Sequence, residues 1–172
     1  MANVTDKFKL PNPKGKSGGA CTSALLEILY ENKHETDEEF SFKDVLMRMR
    51  QILHTKDFKQ IPQLSSSRQL DIETKFDITH PGYNGKRRAV MIGINYVGQD
   101  GELKGCHNDV KNMKEYLMDV HEFKENDITV LMDDEVHRPP TKKNILDAFA
   151  RIVRESQSGD VVYIHYSGTF PN

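Results

Sequence analysis

Residues 89 to 94 read Ala-Val-Met-Ile-Gly-Ile, residues 128 to 132 read Ile-Thr-Val-Leu-Met, and residues 161 to 165 read Val-Val-Tyr-Ile-His. Each is a short apolar run, the pattern of a strand covered on both faces. Between the first and second stand a glycine-rich loop, Gly98 to Gly105, and a stretch from about His107 to Val120. That stretch carries Val110, Met113, Leu117 and Val120 at helical spacing. Between the second and third stand a polar loop, Asp133 to Pro140, and a helix that Thr141 is placed to cap. Its inward residues are predicted to be Ile145, Ala148, Phe149, Ile152 and Val153, and Ser158-Gly159-Asp160 ends it. Strand, helix, strand, helix, strand of this length makes two crossover units, hence a parallel sheet with helices packed on it. The ligand site of such a sheet lies beyond the carboxyl ends of its strands. Those ends are Gly93-Ile-Asn-Tyr96, Met132-Asp-Asp134 and Tyr166-Ser-Gly168.

The preceding half has a different pattern. Residues 1–19, rich in Lys, Pro and Gly, read as a flexible lead-in. Ala24, Leu25, Ile28 and Leu29 then form one apolar helical stripe. Glu31 to Glu39 is mainly acidic and reads as a solvated loop. Ser41 and Asp44 fit a capping box for a helix with Val45, Leu46, Met49, Ile52 and Leu53 inside. Lys43, Arg48 and Arg50 are left outside it. After a turn-rich stretch, Lys56 to Arg68, the residues Leu70, Ile72, Thr74, Phe76 and Ile78 alternate with polar ones, predicting a half-buried strand. His80 to Gly85 is dense in turn formers and reads as a linker.

Composition narrows the function classes. The 24 Lys and Arg against 26 Asp and Glu give a net charge of −2, without the basic excess that nucleic-acid binding calls for. No apolar run approaches the roughly 20 residues of a membrane span. The opening residues lack the apolar core of a signal peptide. Cys21 and Cys106 are too few for a disulfide scaffold and are expected as reduced thiols in the cytoplasm.

At the strand ends the sequence resembles the metacaspases, of the caspase-like cysteine peptidases. KRRAVMIGINYVGQDGELKGCHNDVKNMKEYL, residues 86 to 117, resembles the opening of their large catalytic region, and ITVLMDD, PPTKKNIL and GDVVYIHYSG resemble its next landmarks in order. GGACTSALLEIL, FKDVLMRMRQIL, IPQLSSSR and LDIETKFDI resemble the small-subunit region, which usually follows the catalytic region. Small-subunit region first is the type III arrangement. The resemblance implies a caspase-like α/β fold in three layers, a mostly parallel sheet with helices on both faces, here incomplete. It divides the chain into the lead-in (1–19), a small-subunit-like region (20–79), a linker (80–87) and the front of the large catalytic region (88–172).

The implied activity is hydrolysis of peptide bonds after Arg or Lys, by a cysteine thiolate whose proton a histidine manages while backbone N–H groups hold the oxyanion. The family's catalytic histidine follows His-Tyr-Ser-Gly; this chain reads His165-Tyr166-Ser167-Gly168-Thr169, so Thr169 occupies that position. The family's catalytic cysteine belongs to a later strand that these residues do not include. The chain therefore reads as a truncated, inactive front portion, with an open parallel edge where the next strand would pair. Asp109 matches an acidic residue of the primary specificity pocket and would take a basic side chain through charge-assisted hydrogen bonds. On residues alone, the simpler reading is that it serves the N-terminus of its own helix. Ser167 matches a serine of the same pocket.

Cys106, near a helix N-terminus where thiol pKa falls, is either a nucleophile with His107 or His165 as candidate base, His107 being poorly placed as its helix neighbour, or a buried structural thiol. Cys21 reads as packing. Asp133, Asp134 and Glu135, with His137 nearby, read either as a cation site or as a solvated loop. The remaining histidines, His34, His54, His80 and His121, read as surface residues. The resemblance implies no cofactor for this chain, and calcium only for the complete enzyme. Expected partners are peptides or proteins carrying Arg or Lys, or a complete metacaspase if the chain is a non-catalytic binding module.

Overall fold

The computed structural model describes residues 18–34, 39–79 and 82–169, with side chains of the first range described through residue 30. The expected lead-in lies almost wholly outside the described residues, as do positions 80 and 81 of the linker. The elements are α1 (Ala20–His34), α2 (Phe42–Thr55), β1 (Arg87–Gly93), α3 (Cys106–His121), β2 (Ile128–Met132), α4 (Lys142–Glu155) and β3 (Val161–Ser167). The strands form one sheet in the order β2-β1-β3, and both pairs are parallel. Met91 sits opposite Val130 on one side and His165 on the other.

The central strand explains the architecture. Successive side chains of a strand point to opposite faces. Ala89 and Met91 therefore enter a cluster with Val110, Met113 and Leu117 of α3, while Val90 and Ile92 meet Leu131 and the α4 residues Ala148 and Ile152. α1 adds Leu26 and Leu29 to the α3 cluster, and Tyr30 meets Tyr116 edge to face at 5.1 Å. α2 packs on α1 through Ile28, Phe40 and Val45. The result is an α/β sheet with helices on both faces, consistent with a caspase-like fold and incomplete. Among the described residues, no helix is long and apolar enough to cross a membrane.

Local signals set the helix starts. The Asp44 amide donates to Ser41 Oγ at 3.1 Å, and the Ser41 amide to Asp44 Oδ2 at 2.9 Å, completing the capping box. The Asn144 amide donates to Thr141 Oγ1 at 3.2 Å, as its N-cap position requires. At the amino end of the sheet the buried Arg88 pairs with Asp160, whose other oxygen accepts from the Lys86 amide at 2.7 Å.

Four expectations are corrected. Residues 70 to 78 form no strand. Their backbone instead meets the start of α2, with Phe76 N–H donating to the Phe40 carbonyl and Phe42 N–H to that of Thr74, so one isolated bridge replaces a ladder. The acidic stretch from Glu31 is not all loop, because α1 continues to His34. β3 is not covered on both faces: α3 packs on one side, but α4 packs chiefly on β1 and β2, leaving Val162, Ile164 and Tyr166 exposed. Val153 points outward at 74% exposure, since Ala148 and Ile152 make the contact with the sheet.

On the covered face of β3, His165 Nε2 is buried without a hydrogen-bond partner among the described residues. Burial penalises the imidazolium and holds the ring's pKa down to about 4, against an ordinary 6.5. Between these values the unfolded chain binds a proton that the folded chain refuses, so stability falls as pH drops through that window. We expect denaturant titrations from pH 7 to 4 to show this decline and His165→Phe to flatten it, by on the order of 3 kcal/mol at the acid end.

Candidate functional site at the carboxyl rim of the sheet

Three chain segments meet where the parallel strands end. β1 runs out through Ile94, whose amide donates to the Ser167 carbonyl at 2.9 Å, extending the β1–β3 ladder. Gly93 lies against the first turn of α3; a Cβ there would stand 2.9 Å from Val110 Cγ2 and 3.0 Å from the Cys106 carbonyl oxygen. That close approach brings the start of α3 down onto the rim. Asn95 follows, with its side-chain carbonyl accepting from the Cys106 amide at 3.0 Å, a cap that the helix cannot obtain from Gly105.

Asp109 lies in the first turn of α3 and is 2% exposed. Its carboxylate reaches away from its own helix. Oδ1 accepts the Gly19 amide at 2.7 Å, Oδ2 accepts the Ser167 hydroxyl at 2.6 Å, and the Thr22 side chain also bonds to it. The end it serves is thus the N-terminus of α1. Burial raises the pKa of the carboxyl, and the bonds from Ser167, Gly19 and Thr22 oppose that rise.

Cys106 is 6% exposed, and burial pushes its thiol up. The Ser167 hydroxyl works against that, and the negative charges of Asp109 and Asp133 add to it. The low thiol pKa expected near a helix N-terminus is not found: burial first, with the charges of Asp109 and Asp133 added, holds the thiol up. Neither proposed base serves the thiol. His107 Nε2 is paired with Asp133 Oδ1 at 2.6 Å, and His165 Nε2 has no partner among the described residues. Cys106 is a buried thiol at the edge of the Asp109 cluster. Cys21 is half-buried at the start of α1, its thiol also pushed up by burial and by the Asp109 charge.

The acidic run after β2 is held in place by its own hydrogen bonds. Asp133 accepts the amides of Asn95 at 2.9 Å and Tyr96 at 2.7 Å besides pairing with His107. It thereby holds a turn in which Tyr96 adopts left-handed backbone, φ 56°. Burial works to raise its carboxyl, but these donors outweigh burial and hold it below the usual range. Asp134 accepts the amides of Val136 and His137 and pairs with the His137 ring at 2.8 Å. These oxygens are already engaged, and no group of three or more His, Cys, Asp or Glu side chains that could hold a metal ion converges among the described residues.

Thr169, at the family's histidine position, is exposed, and its carbonyl accepts from the Tyr96 and Tyr166 hydroxyls. Nor is His121 a plain surface residue: its ring bonds the Tyr116 hydroxyl at 3.2 Å and faces Thr79 at 3.4 Å.

Residues 87–171 match the family model for the metacaspase, peptidase C14 domain, and residues 6–72 match that for the caspase domain. The chain belongs to the metacaspase family. It is 47% identical over 169 residues to Metacaspase III c of Phaeodactylum tricornutum, across 98% of this chain and 50% of that protein. It is 51% identical over 83 residues to Metacaspase-7 of Arabidopsis thaliana, across 48% of this chain and 21% of that protein. Against Metacaspase-1B of Neurospora crassa the identity is 45% over 87 residues, or 49% of this chain and 20% of that protein. This metacaspase chain thus spans half or less of the length of these relatives.

Two features of the rim escape a linear reading. The His107–Asp133 pair and the Gly19–Asp109 bond join residues 26 and 90 positions apart, and no motif spacing announces either. The one available signal was the Gly18-Gly19 pair before an apolar helix, a sign of close approach. Replacing Asp133 by Ala should strand the Asn95 and Tyr96 amides and loosen the turn. We expect a loss of about 2–3 kcal/mol in chemical denaturation and faster amide exchange at Tyr96. Because the carboxyl is held low, its contribution is complete above the usual carboxylate range and fades as pH falls below it, so the two proteins should converge in stability under strong acid.

Proposed function

We propose that this chain is the front part of a type III metacaspase, and that the whole protein is a cysteine endopeptidase cleaving after Arg or Lys. The observation that carries this reading is the Asp109 carboxylate, buried at the carboxyl rim with the Ser167 hydroxyl on one oxygen. A carboxylate offers about four acceptor positions. Three donors are in place among the described residues, which leaves about one of these positions for the cation of a substrate side chain. Caspase-domain similarity ahead of metacaspase-domain similarity supports the type III order.

Within these residues the chain holds specificity and not chemistry. Thr169 cannot shuttle a proton at neutral pH, and Cys106 is neither exposed nor activated. The chain alone is therefore proposed to be inactive toward peptides. Thr169 in place of an imidazole also favours a second reading, a non-catalytic module that holds Arg- or Lys-bearing peptides on Asp109.

Fluorogenic peptides ending in Arg or in Asp, with and without millimolar calcium, separate these readings when assayed on the 172-residue chain and on the product of the full-length transcript. We expect turnover of the Arg peptide by the longer product alone. Asp109→Asn in that product should lower kcat/KM for it roughly 10- to 100-fold, the loss of one charge-assisted bond. Binding without turnover by both would favour the non-catalytic module. Turnover by the 172-residue chain that disappears in Cys106→Ala would overturn the assignment of Cys106 as inert.

A further inference from the structure

We propose that Gly19 and Thr22, at the N-terminus of α1, are positioning residues for the Asp109 carboxylate, so that the small-subunit-like region helps decide how a basic side chain is held. The inference rests on the reading of Asp109 as the specificity carboxylate, and extends it to residues on a different element.

The argument is one of space and of donors. The Gly19 amide meets Oδ1 at 2.7 Å, and Thr22 adds a side-chain bond from the same helix turn. A Cβ on Gly19 would stand 2.4 Å from Oδ2 and 3.3 Å from Cγ of Asp109, a separation that no side chain can hold. Gly19 does not occupy left-handed backbone, so glycine is needed there for approach and not for conformation. Even Gly18 leaves only 3.1 Å between a Cβ and Oδ1. The third donor, Ser167, comes from β3, so the carboxylate is fixed in orientation between two elements that approach from different sides. The Cys21 and Cys106 thiols face the same group, and neither brings a positive charge. Orientation therefore rests on the three donors. Ser167 alone bonds a single oxygen and leaves the plane of the carboxylate free to rotate.

Two variants of the 172-residue chain test this. Gly19→Ala displaces the carboxylate, and Thr22→Val removes one donor at nearly constant volume. Asp109 is followed by carbon-detected NMR titration of its carboxyl, and benzamidine binding by calorimetry. We expect both variants to titrate at higher pH than the parent, because charged-form hydrogen bonds are lost. Benzamidine should bind each variant about tenfold or more weakly, while Thr22→Val keeps the parent's melting temperature to within a few degrees. An unchanged Asp109 titration in both variants overturns the proposal. If the parent itself fails to bind benzamidine, the specificity reading of Asp109 fails, and the titration still decides whether Gly19 and Thr22 position the group.

Discussion

A carboxylate taken out of water must find its hydrogen bonds inside the protein or lose its charge. Asp109 meets that condition with donors from three places: the backbone before α1, the first turn of α1, and the last residue of β3. No single element could supply them. The requirement ties together two halves of the chain that helical packing alone would leave free to slide, since apolar contacts between α1 and α3 specify proximity but not register. Leu26, Leu29, Tyr30 and Tyr116 provide the adhesion, and Asp109 provides the alignment.

The same rim shows a division of labour between carboxylates. Asp133 sits at the end of β2 and devotes its oxygens to the turn after β1 and to His107. Asp109 sits one layer away and faces the start of α1. The opposite displacement of their carboxyl groups follows from this, because Asp133 collects enough donors to stay ionised easily and the deeper Asp109 does not. A rearranged chain order is compatible with the arrangement. The join between the halves runs near the Arg88–Asp160 pair at the amino end of the sheet, away from both carboxylates.

Much of this was legible in the residues. The run from Ala89 to Ile94 predicted a strand buried on both sides, and β1 is that strand, because α3 and α4 each take one set of alternate side chains. Ser41, Asp44 and Thr141 announced helix starts through chemistry local to a few residues. The failures share a cause, which is dependence on neighbours. Val161 to His165 reads as apolar like the first run, yet its burial depends on which helices cross it, and α4 packs chiefly on the other two strands. Leu70 to Ile78 alternates like a strand but finds only the start of α2 as a partner. At the site, Asp109 and Ser167 were singled out from the sequence and are hydrogen-bonded to each other, whereas Gly19 and Thr22 entered only with the tertiary contact.

The outward face of β3 has a consequence for handling the protein. Val162, Ile164 and Tyr166 form an oily strip beside a strand whose outer backbone groups pair with no other strand among the described residues. Two molecules meeting there can zip together by main-chain bonding and bury the strip at once. Concentrated stocks should therefore cloud with time, and dilution, cold or a mild chaotrope should keep them clear more effectively than any change of ionic strength.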